Sequence, residues 1–87
     1  MASHFKVYIL KLRNGSYYVG HTNDLQRRLQ EHREGIACSH TKKYSIRRLL
    51  WSESQPDRAN AAKREREIKG WSRMKKEALW KREVGSS

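Results

Sequence analysis

An α/β (α+β) fold, a three-stranded antiparallel sheet flanked by helices in the order β-β-α-β-α-α, is what this sequence predicts. Three observations carry it. Two stretches rich in β-forming residues flank Asn14-Gly15, the strongest short-range hairpin signal. Three later segments open on residues that start helices. A third apolar stretch centred on Leu49, Leu50 and Trp51 lies between the first two of these.

Phe5 to Leu12 alternates with apolar residues on both faces, Phe5, Val7 and Ile9 on one and Tyr8, Leu10 and Leu12 on the other. Such a strand is covered on both sides. Ser16 to Gly20 returns as its antiparallel partner. Thr22 or Asn23 suits a helix N-cap, with Asp24 in the first turn and Gln26 in a capping-box position, so a first helix is expected from about Asp24 to Glu34, stopped by Gly35. Residues 36–43 lack periodicity and are expected as a loop. Tyr44 to Glu53 supplies the third strand. Pro56 and Asp57 open a second helix that ends at Gly70, and Ser72 caps a third through about Arg82, with Met74, Ala78 and Leu79 expected toward the core.

At 87 residues the chain has room for one small domain, expected over residues 1–83 with a frayed C-terminus at 84–87. Twenty Lys and Arg against nine Asp and Glu give a formal charge of +11, self-repulsion that a polyanion would relieve, and nucleic acid is the first such partner. No apolar run is long enough to span a bilayer and no signal-peptide pattern opens the chain, so a soluble, cytoplasmic protein is expected. Cys38 is the single cysteine, which excludes an intramolecular disulfide and a Cys-x-x-Cys clip.

Both longer helices interrupt their inward stripe with polar groups. In the first, Leu25, Arg28, Leu29 and His32 share one face. Arg28 and His32 must then reach a rim or a cleft, since an unpaired buried charge costs several kcal/mol. The structural alternative is a snorkelling arginine and a satisfied histidine. In the second, Ala61, Glu65 and Ile68 share a face, and the structural alternative for Glu65 is an ion pair. Guanidinium, imidazole and carboxylate are the groups phosphoryl chemistry requires, and their coincidence is the stronger signal.

These residues resemble the GIY-YIG nuclease superfamily over almost the whole chain. The first signature triplet stands here as Lys6-Val7-Tyr8 and the second as Tyr18-Val19-Gly20, the second tyrosine ten positions after the first. Arg28 follows the second triplet by eight residues, His32 lies one turn later, and Glu65 matches the family's metal-binding glutamate. The segment from Ile68 to Lys76 resembles the short stand-alone members, which are similar to the N-terminal nuclease domain of excinuclease C. The first triplet lacks its glycine, a departure a strand position tolerates.

The resemblance implies a metal-dependent endonuclease acting on DNA more than RNA, in DNA processing or repair. Glu65 would hold one Mg²⁺ or Mn²⁺, Arg28 would stabilise charge on the phosphate, Tyr8 would activate water, and Tyr18 would orient water or phosphate. His21 and His32 are candidates for proton transfer or phosphate contact. Arg27, His40, Lys42, Lys43, Arg47, Arg48, Arg73, Lys75 and Lys76 are candidates for the nucleic-acid backbone. Tyr17 and the three tryptophans are expected to pack rather than to contact substrate. The competing readings are a non-catalytic nucleic-acid-binding module of the same fold and a basic interaction protein with no cleft.

Overall fold

The computed structural model describes residues 4–37 and 39–81, except for the side chains at 39–41. Its elements are β1 (Phe5–Leu12), β2 (Tyr17–Thr22), α1 (Leu25–Arg33), α2 (Ser39–Tyr44), β3 (Ile46–Gln55), α3 (Arg58–Lys69) and α4 (Arg73–Glu77). The sheet is antiparallel with strand order β2-β1-β3, so β1 is central. Gly15 adopts φ +89° in the β1–β2 turn, a conformation that favours glycine.

Alternation along β1 builds two cores, as its composition predicts. Val7 and Ile9 pack with Val19, Ala61 and Ile68 beneath α3, joined by Phe5, Tyr17, Leu50, Trp51, Trp71, Leu79 and Trp80. On the opposite face Tyr8, Leu10 and Leu12 pack with Tyr18, Leu25, Leu29, Tyr44 and Ile46 beneath the first helices. Val7, Ile9, Leu10 and Leu12 are fully buried. The tryptophans pack against the core, as expected.

Several boundaries differ from the sequence expectation, each for a local reason. Asp24 rather than Thr22 or Asn23 caps α1, its carboxylate accepting from Arg27 N at 3.1 Å. Thr22 ends β2, and its hydroxyl accepts from Asp24 N at 3.1 Å. The expected loop at 36–43 contains α2, too short at six residues to show a periodic stripe. Tyr44 belongs to that helix, so β3 starts two residues later than expected and runs on to Gln55. Register shifts at Ile9/Leu10 and Lys11/Leu12 leave Leu50 and Arg47 as extra residues on β3, and Leu49 is 37% exposed rather than central.

Asp57 and Gly70 bound α3 as the sequence implies. Ser72 caps α4, but the helix ends at Glu77, Met74 within it is 80% exposed, and Ala78 also faces out. Leu79 docks against the core as expected, together with Trp80. Tyr17, expected only to pack, donates its hydroxyl to Glu77 Oε2 at 2.5 Å and meets Trp80 edge-on at 5.1 Å, which ties this segment to β2. Cys38, Arg82 and residues 84–87 lie outside the described residues.

Candidate active site

Tyr8 and Tyr18 are brought together on the α1 face of the sheet, their ring centroids 6.3 Å apart. The Tyr8 hydroxyl lies 2.9 Å from His32 Nε2, and the His32 ring stands 5.1 Å from that of Tyr18. Gly20 makes this possible: a Cβ there would come within 2.7 Å of the Tyr8 hydroxyl and 3.1 Å of Tyr18 Cε2. The second triplet thus needs its glycine for space. Lys6 in the first triplet is ordinary strand, and its ammonium donates to Ser54 Oγ at 3.0 Å.

Burial is deeper than expected on this face. Tyr8 is 1% exposed and His32 2% exposed, so neither lies open to a substrate. Burial, assisted by the neighbouring Arg28 charge, pushes the His32 pKa down to about 4 and keeps the ring neutral at physiological pH. In geometry His32 is therefore the satisfied core histidine of the structural alternative.

Glu65 sits on the other face. His21 pairs in register with Val7, whose side chain belongs to the α3 core, and its Nδ1 lies 2.5 Å from Glu65 Oε1. Lys69, one turn further along α3, places its ammonium 2.7 Å from Glu65 Oε2. Burial works to raise the Glu65 pKa, but the hydrogen bonds from Lys69 and His21 outweigh it and hold the carboxyl below its ordinary range. Glu65 is thus an ionised, part-buried carboxylate in an ion pair.

The roles that the resemblance implies need both phenols, the guanidinium and the acid around one phosphate, whereas the sheet places Glu65 on the face opposite Tyr8, Tyr18 and α1. Of the four, Arg28 lines a cleft at the end of β2, an edge strand, and Glu65 reaches its wall only through His21. The cleft, of about 110 Å³, is lined by Phe5, His21, Thr22, Asn23, Arg28 and Arg58. Arg28 reaches it from the α1 side and His21, bonded to Glu65, from the α3 side. Arg28 also donates to Glu31 Oε1 at 3.2 Å.

Of the remaining cations, Arg27 is exposed and pairs loosely with Glu31 at 3.6 Å. Lys42 and Lys43 are exposed on α2, Lys43 lying over the Tyr44 ring. Arg73 stacks on Tyr17 at 4.1 Å, Lys75 stands over Trp71, and Lys76 is half-buried. These three belong to α4, away from the cleft. The side chain of His40 is not among those described. Sequence reasoning missed Arg58, Glu31 and Lys69. Glu31 and Lys69 sit at helical spacing from Arg27 and Glu65, which was a readable signal; Arg58 was one of many surface cations.

The fit of a divalent ion can be judged from its donors. Among the described residues no group of three or more His, Cys, Asp or Glu forms a cage. One ionised carboxylate fits a hard cation that keeps most of its waters and takes phosphate oxygens, provided the Lys69 ammonium yields its place.

Comparison with known proteins converges on one family. Residues 4–83 match the GIY-YIG catalytic domain. The chain is 43% identical over 70 residues to a UPF0213 protein of Xanthomonas axonopodis pv. citri, covering 80% of this chain and 69% of that one. It is 40% identical over 81 residues to a UPF0213 protein of Staphylococcus aureus, covering 93% and 98%. The solution structure of a UPF0213 protein from Bacillus halodurans is similar at a TM-score of 0.55 and 37% identity, covering 87% of this chain and 81% of that one. With its two triplets paired across β1 and β2, and Arg28 and Glu65 on the helices that cover the two faces of that hairpin, the chain belongs to the GIY-YIG family of nuclease-fold domains.

Proposed function

We propose that this protein is a divalent-metal-dependent endonuclease that hydrolyses nucleic-acid phosphodiester bonds, DNA in preference to RNA, in DNA processing or repair. One observation carries the reading: a part-buried carboxylate, Glu65, is held ionised against His21, whose ring lines the same cleft as Arg28. A pure binder gains nothing from a carboxylate beside a polyanion.

In this scheme a strand lies along the open edge of β2, where side chains from both faces are within reach. The Arg28 guanidinium, always charged and planar, leaves Glu31 for the phosphate and stabilises the extra negative charge as water adds to phosphorus and an ester bond breaks. Tyr18, the more exposed phenol, orients the water. Tyr8 is buried, so its part is changed from direct water activation to positioning: it holds Tyr18 and shares a hydrogen bond with His32. Mg²⁺ or Mn²⁺ bound at Glu65 would polarise the phosphate and stabilise the leaving oxygen.

A second reading rests on both Glu65 oxygens already having partners. There Glu65 orients His21, which takes the proton from water as general base. Labelled DNA and RNA incubated with Mg²⁺, Mn²⁺ or chelator distinguish the two. Chelation abolishes cleavage in the first and spares it in the second. Glu65→Gln and Arg28→Ala each abolish cleavage while binding survives in either. Activity unchanged by both substitutions would remove the proposal.

A further inference from the structure

At the end of the sheet remote from the cleft, Arg13, Arg33 and Arg47 line a cavity of about 370 Å³ together with Ser45 and Ile46. They come from three elements: Arg13 follows β1, Arg33 ends α1 and Arg47 lies near the start of β3. Arg47 is the extra residue of a β-bulge opposite Lys11/Leu12, a device that re-aims a side chain. Ser45 holds φ at 52°, a left-handed conformation that costs a non-glycine residue about 1 kcal/mol or more. That turn lets the backbone carbonyls of Tyr44 and Ser45 accept from Arg13 N, at 3.3 and 3.0 Å, which fixes Arg13 beside β3.

Several arginines elsewhere are paired with acids, although Arg48, Arg58 and Arg66, among the described residues, are not. Arg27, Arg28, Arg64 and Arg73 each have a carboxylate within 4.0 Å. Among the described residues, none of the three around this cavity does. Three permanently charged, exposed forks around an open cavity whose lining holds no acid suit a dianionic or diester phosphate, which accepts their parallel N–H groups.

We infer that the Arg13, Arg33 and Arg47 cavity is a second phosphate subsite, which anchors the nucleic-acid backbone at a distance from the cleft where it is cut. This rests on the nuclease reading of the cleft. Phe5 at the cleft and Arg13 at the cavity are eight strand steps apart, about 26 Å at the rise of a strand. That distance corresponds to roughly 8 base pairs of duplex. The anchor therefore serves long substrates and leaves short ones unaffected.

The test is binding in chelator, so that cleavage plays no part. Anisotropy is measured with a duplex of about 20 base pairs and with a hairpin whose stem is about 5 base pairs, across a salt series. The variant Arg13→Gln/Arg33→Gln/Arg47→Gln is compared with Lys63→Gln/Arg66→Gln/Lys81→Gln, which removes the same charge elsewhere. The arginine variant is expected to bind the long duplex at least 10-fold more weakly, its salt slope falling by about 2 to 3, and the short hairpin as wild type does. Equal losses in both triple variants, or equal losses on both probes, overturn the subsite. Arg33→Gln alone, on an exposed helix end, gives the same direction with a smaller effect should the triple variant unfold; no change on the long duplex overturns the subsite there too. Wild-type protein that binds neither probe sinks the nuclease reading, whereas binding indifferent to the arginines sinks only the anchor.

Discussion

The hydroxyl of Tyr8 and Nε2 of His32 lie 2.9 Å apart in the core, joining the central strand to the first helix through a polar bond where packing alone would place two apolar side chains. Which of the two donates depends on the tautomer of the neutral ring. Protonation of His32 buries a charge beside Arg28.

Stability should therefore depend on pH in a defined window. The folded pKa of His32, about 4, lies below the ordinary 6.5, so the unfolded chain binds the proton first as pH falls. The contribution is complete above pH 6.5 and is lost progressively down to about pH 4. At 1.36 kcal/mol per pKa unit it is on the order of 3 kcal/mol. Urea denaturation at pH 7 and pH 4.5 measures the slope, and His32→Gln should flatten it.

Gly20→Ala should destabilise the fold by about 1 to 3 kcal/mol, because its methyl meets the buried Tyr8 ring and backbone and ring must both move. Thermal denaturation reads the loss. Gly20→Ala/Tyr8→Phe, which deletes the oxygen 2.7 Å from the new Cβ, should recover part of it.

Leu12→Ala and Met74→Ala should differ sharply. Leu12 is fully buried, and its truncation should cost about 2 to 5 kcal/mol. Met74 is 80% exposed, and its loss should stay within about 0.5 kcal/mol. A melt of each variant decides, and a costly Met74→Ala would show that α4 packs as its sequence pattern alone suggested.

The contrast between those two residues shows where the sequence was legible. β1 alternates cleanly on both faces, and a central strand leaves no other way to bury Val7, Ile9, Leu10 and Leu12, so sheet and faces could be read directly. The stripes that place Arg28, His32 and Glu65 inward were equally plain, because Leu25, Leu29, Ala61 and Ile68 fix each helix's rotation. Met74 was misplaced because α4 ends after one turn and Tyr17 pulls Glu77 inward, a contact between residues sixty apart. The separation of Glu65 from the phenols was implicit in the alternation of β2, where Tyr18 and His21 are three apart and must face opposite ways. The bulges that shift Leu49 and Arg47 depend on pairing across the sheet and leave no local mark.

Arg28→Lys should keep the charge and lose the fork. Cleavage is expected to fall by about 10² to 10³ in kcat with little change in KM, since the lost contact is made to charge that develops during reaction. Single-turnover kinetics on a labelled substrate measure it. A lysine variant of wild-type rate would assign Arg28 to simple charge attraction.

Because one strand, β1, supplies side chains to both hydrophobic clusters, neither layer can loosen alone. Its amides should be the slowest in the molecule to exchange with deuterium, opening only when the whole chain unfolds. Any variant that frays β1 will then lose catalysis and structure in the same transition.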